Sequence, residues 1–328
     1  MTLQHSRIQQ LLTGIKEKRL AVIGDVMIDR YIWGNVSRVS PEAPVPVVEV
    51  EGESTRLGGA ANVANNITSL GARAFLIGIA GNDANGKELK KILDEQNTSS
   101  EGIIIDPSRP TTVKTRVIAH SQHVVRIDSE EKKDIDDTIQ KKVLSILQNS
   151  IESIDGIIIE DYNKGVVVQQ LIHAVIALAK KYNKVITVDP KFNNFFEYKN
   201  VSVFKPNIKE TEEALGKKLR SEDNVLSAGK LLLERLQADN VLLTRSEKGM
   251  SLFEKNGAVT HIPTRAREVA DVSGAGDTVI ATLTAMLTAG ATVKEAAILA
   301  NMAGGIVVGE VGIVPIKPEQ LLAETESA

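Results

Sequence analysis

An α/β fold with a mostly parallel central sheet flanked by helices, and a small β lid beside it, is what this sequence predicts. Three observations carry the prediction. Short apolar runs alternate with longer helix-period stretches almost throughout, the runs are solid rather than alternating, and two polar-faced segments break the rhythm. Solid apolar strands separated by helices mark βαβ units whose sheet is covered on both faces.

In chain order, residues 1–18 read as a short amphipathic helix carrying Arg7, Lys16, Glu17 and Lys18. With no apolar centre and no small-residue cleavage site, this segment is not a signal peptide. Strands are expected at 20–24, 74–80, 102–105, 156–160, 185–188, 201–204 and 241–244. Helices are expected between them at 60–70, 86–96, 135–149, 166–182, 208–215 and 228–237. The stretches 275–289 and 293–308 read as two consecutive helices rich in Ala and Gly, suited to close packing. The lid is expected from about 31–50 and 111–127. In the first of these, Pro41, Pro44 and Pro46 accompany an apolar run. In the second, Val113, Thr115 and Val117 alternate ahead of a turn at Ser121 and Gln122. One domain spanning 1–328 is expected, and 129–137 reads as a solvated loop and helix start.

Composition sets limits on function. The chain has 328 residues, 42% hydrophobic and 25% charged, enough to bury a sizeable core. A net charge of −3 gives no general electrostatic case for nucleic acid or an acidic membrane, so a phosphorylated ligand would need local basic groups. The absence of cysteine excludes disulfides, thiolate metal sites and a cysteine nucleophile, and fits a reducing compartment. No stretch approaches the roughly 18 apolar residues a bilayer span needs. A soluble, cytoplasmic protein is expected, with no nucleic-acid or membrane partner.

The segment with the most chemistry is 271–279, just before an Ala-rich helix. Gly274 and Gly276 let backbone approach a ligand, and the unpaired N–H groups from Gly274, Ala275 and Gly276 into the first turn would form an anion hole. Phosphoryl transfer builds negative charge that such a hole stabilises. Asp277 can accept the proton of an incoming hydroxyl. In isolation, a helix N-terminal acid favoured by the dipole would look the same. The stretch 81–88 fits a P-loop except at its last position, where Glu88 replaces the hydroxyl that binds magnesium, so it is read as a turn and helix start.

The string Gly274, Ala275, Gly276, Asp277, with Gly58, Gly59, Ala60, Ala61, Asn62 near the N-terminus, resembles the ribokinase-like (PfkB) carbohydrate kinases. Four further segments, 24–31, 37–46, 161–165 and 244–250, resemble the heptose 7-phosphate kinases of lipopolysaccharide core synthesis. The resemblance runs from about residue 20 to 315, and 37–46 is its most subfamily-specific piece. It implies a ribokinase-like fold and an ATP- and Mg²⁺-dependent kinase. The implied substrate is D-glycero-β-D-manno-heptose 7-phosphate, phosphorylated at the anomeric hydroxyl. Relatives often carry a fused nucleotidyltransferase domain with a His-x-Gly-His string. The five histidines here form no such string, so that domain is not expected.

The resemblance also implies roles. Asp25 and Asp29, after the first strand, would meet sugar hydroxyls where open α/β sheets bind ligands. Gly58, Gly59 and Asn62 would let backbone and amide approach the sugar, and Asp161 falls in a matching segment. Arg38, Lys114, Arg116, Arg126 and Lys164 are candidates for holding the sugar's phosphate. Strand alternation puts Lys114 and Arg116 on one face of the lid. Asn207 and Glu210 would lie near the triphosphate and its magnesium, although a helix cap with Glu at the third position fits the spacing equally. Thr244, Arg245 and Gly249 would border the nucleotide. Asp271 and Ser273 correspond to positions that offer backbone oxygens to a monovalent cation, which would be K⁺. A lid of exposed apolar strands points to a homodimer in which two lids pair. Other readings are a kinase of the same fold for another sugar, such as ribose or a fructose phosphate, and a non-catalytic sugar or nucleotide sensor. An intact Asp277 in its glycine string counts against the sensor.

Overall fold

Solid apolar runs need cover on both faces, and the fold supplies it. The computed structural model describes residues 3–120, 122–264 and 269–326. The chain opens with α1 (His5–Gly14), β1 (Arg19–Gly24), β2 (Val26–Val39), β3 (Pro46–Gly59), α2 (Ala60–Ser69), β4 (Arg73–Ala80), α3 (Ala84–Glu95) and β5 (Ile103–Ile105). It continues through β6 (Val113–Ala119), β7 (Gln122–Ser129), α4 (Asp137–Ser150), β8 (Gly156–Glu160), α5 (Gln169–Lys181), β9 (Val185–Asp189), β10 (Val203–Phe204) and α6 (Ile208–Leu215). It closes with α7 (Glu222–Leu236), β11 (Asn240–Thr244), β12 (Met250–Glu254), β13 (Val259–Ile262), α8 (Ala275–Thr288), α9 (Val293–Val307) and α10 (Pro318–Glu326).

The main sheet runs β13-β12-β11-β10-β9-β8-β1-β4-β5. The strands from β11 to β5 are parallel, whereas β12 and β13 add an antiparallel edge. Successive residues of β1 serve opposite cores. Leu20 and Val22 join α1, α2, α8 and α9, while Ala21 and Ile23 join α4, α5 and α7. Each core side chain of this size buried contributes on the order of 1.5–3 kcal/mol, which is why both faces must be apolar. Most of α8 is buried, as its Ala-rich composition requires.

The lid is a second sheet of order β3-β2-β6-β7. It is larger than expected, taking in residues 26–59 rather than 31–50 and ending at 129 rather than 127. Val26, Met27 and Ile28 are buried where β2 leaves the body, so one apolar run from 20 to 28 feeds two sheets with only Gly24 and Asp25 to mark the change. Ser121 of the expected turn lies outside the described residues.

Other differences have local causes. Ser221 caps α7, its hydroxyl accepting from the Asn224 N–H at 3.2 Å, so the helix begins six residues before its expected start at 228. β10 is only two residues long. The strands β12 and β13 and the helix α10 were not anticipated. The P-loop look-alike is a helix start: Asp83 caps α3 by accepting from the Gly86 N–H at 2.7 Å, and Glu88 pairs with Arg30 at 2.8 Å.

Candidate active site

The carboxyl ends of β1, β8, β9 and β10 form a floor, and α8 begins above it. Gly274 precedes α8 with φ +76°, and a Cβ there would stand 2.8 Å from the Asn62 amide nitrogen, so only glycine fits. Asp277, 2% exposed, lies in the first turn. Its Oδ2 accepts from Asn62 Nδ2 and its Oδ1 from the Tyr162 hydroxyl, each at 2.7 Å. Asn62 is itself oriented by Asn66, whose Nδ2 donates to the Asn62 backbone oxygen at 2.9 Å and to its Oδ1 at 3.2 Å. Burial pushes the Asp277 carboxyl up to about 6, against the pull of those two donors. Around Gly276 there is room: a Cβ would come no closer than 3.5 Å to Asp189. The Ala275 N–H reaches the Val272 carbonyl at 3.3 Å.

Below Asp277 the floor is acidic. Glu160 ends β8 beside Asp189 at the end of β9, and the two are neighbours in register. Glu160, Asp189 and Asp277 each bring a carboxylate oxygen within 4.8 Å of the others. Lys205 Nζ pairs with Asp189 at 2.6 Å. Burial, then Asp189 and Asp277, push the Glu160 carboxyl well above its ordinary range. Its Oε2 has no hydrogen-bond partner among the described residues. An all-oxygen donor set with a buried, unpartnered oxygen suits a hard divalent cation.

The lid supplies the opposite wall. Asp29 on β2 pairs with Arg116 on β6. A Cβ on Gly58 would lie 2.1 Å from Asp29 Oδ2, so this glycine exists to let Asp29 sit there. Lys114, opposite Asp29 in register, lies 5.1 Å from the centre of the Tyr162 ring, which ties the lid to the residue holding Asp277. Lys191 lies at the same distance from that ring and pairs with Glu210.

Not every expected site residue joins this group. Arg38 is exposed, nine residues beyond Asp29 along β2, about 30 Å at the usual rise per residue. Arg126 is 60% exposed and paired with Asp128 at 2.9 Å, and Lys164 is paired with Glu130 at 2.6 Å. Asp25 turns inward, accepting from the N–H groups of Tyr162 at 2.7 Å and of Lys164 and Val166 at 3.2 Å. Asp161 accepts from Tyr198 at 2.6 Å and from the Asn163 N–H at 2.8 Å. Gly59, with φ +57°, makes the bend into α2.

On the far side, Asn207 and Glu210 form the capping box of α6, each side chain bonded to the other's N–H at 2.9 and 2.8 Å. Thr244 at the end of β11 joins them through Pro206, its N–H donating to that carbonyl at 3.0 Å. Arg245 points away, held by Glu222 and by Ser251 at 3.0 Å. Gly249 turns with φ +76°, where a Cβ would stand 2.0 Å from the Ile262 carbonyl oxygen. Asp271 closes a local turn by accepting from the Ser273 N–H at 2.9 Å, in the loop leading into α8.

Sequence reasoning missed Tyr162, Glu160, Asp189, Lys191 and Lys205 as site residues. Glu160 and Asp189 end their strands and Tyr162, Lys191 and Lys205 follow strand ends, all on the same sheet edge, a signal the strand boundaries already contained. It also missed Arg56, opposite Asp29 on β3, whose guanidinium donates to the Ile313 carbonyl at 2.6 Å.

Comparison with known proteins completes the picture. The pattern of the pfkB family carbohydrate kinases matches residues 17–320. The chain is 41% identical over 322 residues to a bifunctional protein HldE of Geotalea uraniireducens (strain Rf4), covering 98% of this chain and 66% of that protein. It is 46% identical over 295 residues to a bifunctional protein HldE of Helicobacter pylori (strain J99 / ATCC 700824), covering 90% of this chain and 64% of that one. The chain thus spans just under two thirds of the length of these relatives. Among solved structures, Escherichia coli phosphofructokinase-2 in complex with substrates and products superposes with a TM-score of 0.78 at 17% identity, over 94% of this chain and 99% of that one.

Proposed function

The chain belongs to the pfkB family of carbohydrate kinases, and from that premise we propose that it phosphorylates D-glycero-β-D-manno-heptose 7-phosphate. ATP gives its γ-phosphoryl group to the anomeric hydroxyl, and the 1,7-bisphosphate made feeds ADP-heptose and lipopolysaccharide core synthesis. The observation that carries the proposal is the pairing of two walls. A buried carboxylate, Asp277, faces a lid whose inner side bears Asp29, Lys114 and Arg116. Asp29 suits sugar hydroxyls, and a cationic lid face suits a sugar that already carries phosphate.

Asp277 accepts the proton of the anomeric hydroxyl as that oxygen attacks the γ-phosphorus in line. With the attacking oxygen beside Asp277 in the first turn of α8, the Gly274 and Gly276 N–H groups would take up the developing charge, the Ala275 N–H being drawn to the Val272 carbonyl instead of the expected hole. Asn207, Glu210 and Thr244 border the triphosphate, and the lid excludes water that would otherwise hydrolyse ATP. Glu160 and Asp189 would hold Mg²⁺, with Glu210 behind them. The ion supplies charge neutralisation of the transferring phosphoryl oxygens. Backbone oxygens at Asp271 and Ser273 would hold K⁺.

We propose one domain with its lid as the whole catalytic unit, pairing as a homodimer through lids whose Val39, Val45, Val50, Val125 and Ile127 are exposed. Light scattering should give twice the chain mass, and a monomer at working concentration removes the dimer. No described helix is long and apolar enough to cross a membrane.

ATP turnover with heptose 7-phosphate, fructose 6-phosphate, fructose 1-phosphate, ribose and fructose tests the substrate. Strong preference for the heptose phosphate is the expected result. Preference for another sugar overturns the substrate while leaving the kinase chemistry in place.

A further inference from the structure

We propose that Tyr162 is a positioning residue for this reaction, setting the carboxylate of Asp277 with its hydroxyl and gathering lid and floor lysines with its ring. The inference rests on the reading of Asp277 as the base. It stands on three contacts. The hydroxyl donates to Asp277 Oδ1 at 2.7 Å, while Asn62, from a different element, donates to Oδ2 at the same distance. Two donors on two oxygens fix the plane of the carboxylate and leave each oxygen a second lone pair for the incoming hydroxyl. The ring then lies 5.1 Å from Lys114 Nζ of the lid and 5.1 Å from Lys191 Nζ of the floor. Finally, the loop carrying Tyr162 is itself held, because the buried Asp25 accepts its backbone N–H at 2.7 Å and two more within four residues.

The phenol acts only as a donor here. An ionised carboxylate offers only acceptors, so in this 2.7 Å contact the hydroxyl hydrogen is the one directed at Asp277 Oδ1. Lys114 is the lid cation closest to this chain of contacts, and burial holds it below its ordinary range against the opposing pull of Asp29. Tyr162 is therefore where sugar recognition on the lid meets proton transfer on the floor.

The test is a double-mutant cycle with Tyr162→Phe, Asp277→Asn and the pair, read by single-turnover transfer of labelled phosphate from ATP to heptose 7-phosphate. Tyr162→Phe should lower kcat about tenfold or more, the worth of one hydrogen bond to a charged group, with both KM values within about twofold of the parent. In the Asp277→Asn background the same change should cost less than about twofold. Equal losses in both backgrounds would make Tyr162 merely structural and overturn the proposal, as would a raised KM with unchanged kcat. Unchanged turnover in Asp277→Asn alone would instead remove the base on which the inference rests, so the two failures are distinguishable. Replacing Tyr162 by 3-fluorotyrosine, which keeps the hydroxyl and the shape, should restore kcat to within about threefold. Failure of that rescue would also overturn the hydroxyl's role. Tyr162→Leu should raise the KM for the sugar phosphate about fivefold beyond Tyr162→Phe, and equal KM values would remove the ring from the proposal.

Discussion

The floor and the lid hold their polar groups in opposite ways. On the floor Glu160, Asp277 and Lys205 are 1, 2 and 3% exposed, and their partners come from rigid strand ends and helices. On the lid, Arg126 pairs with its neighbour Asp128 while 60% exposed, and a row of valines stands in solvent. A buried charge is costly unless its surroundings fix it, so the floor is a preorganised environment suited to chemistry. An exposed pair along one strand contributes little to stability, so the outer lid is free to adjust, while Asp29 and Arg116 at its root are buried where recognition is proposed. The difference teaches that rate should depend on the floor and substrate affinity on the lid.

The largest expected effect probes the floor. Asp277→Asn should lower kcat by about 10² or more with the KM for ATP kept, measured by steady-state kinetics. Next, Gly58→Ala reaches the lid through its tightest contact, because the added Cβ must displace Asp29 Oδ2 from 2.1 Å. The KM for the sugar should rise about tenfold while the KM for ATP stays within twofold. A fall in kcat at constant KM would break the division between the two regions. Lys114→Met should raise the sugar KM about fivefold, since it removes one cation from the lid face. The smallest effect is a control behind the floor. Arg7 binds Glu295 at 2.9 Å and joins α1 to α9, and its hydrogen bond pulls the Glu295 carboxyl down to about 2. That contribution is present above the ordinary carboxyl value and is lost as pH falls through the folded one. Arg7→Ala should therefore lower the melting temperature by about 1–3 °C at pH 7, and the gap should close between about pH 4.5 and 2.

Much of the floor was legible in the sequence because its signals are local. The apolar run within Gly156–Glu160, the cap at Asn207 and the glycines flanking Ala275 each declare their conformation within a few residues. The residues that complete the site were less visible, since Glu160 and Asp189 become neighbours only through strand register. Tyr162 could not be paired with Asp277 from spacing, as 115 residues separate them. The hairpin of β12 and β13 was legible and overlooked: Asn256 and Gly257 between two apolar runs are a hairpin signal, and Gly257 has φ +91°. The root of the lid was hidden for a different reason. One apolar run serves two sheets, and periodicity does not record a change of sheet.

That root carries a mechanical consequence. The Ala60 N–H donates to the Asp25 carbonyl at 3.0 Å, so the strand that leaves the body and the strand that returns to it are fastened together at their base. Between those two points lie 34 residues of flap, fastened again by Arg30 to Glu88 of α3, by Arg56 to the Ile313 carbonyl and by pairing with β6. A swing of the flap would therefore strain the fastening at Asp25, whose side chain grips the loop bearing Tyr162. Torque applied at the tip by a neighbouring molecule would then be felt at the Tyr162 loop, and through its hydroxyl at Asp277.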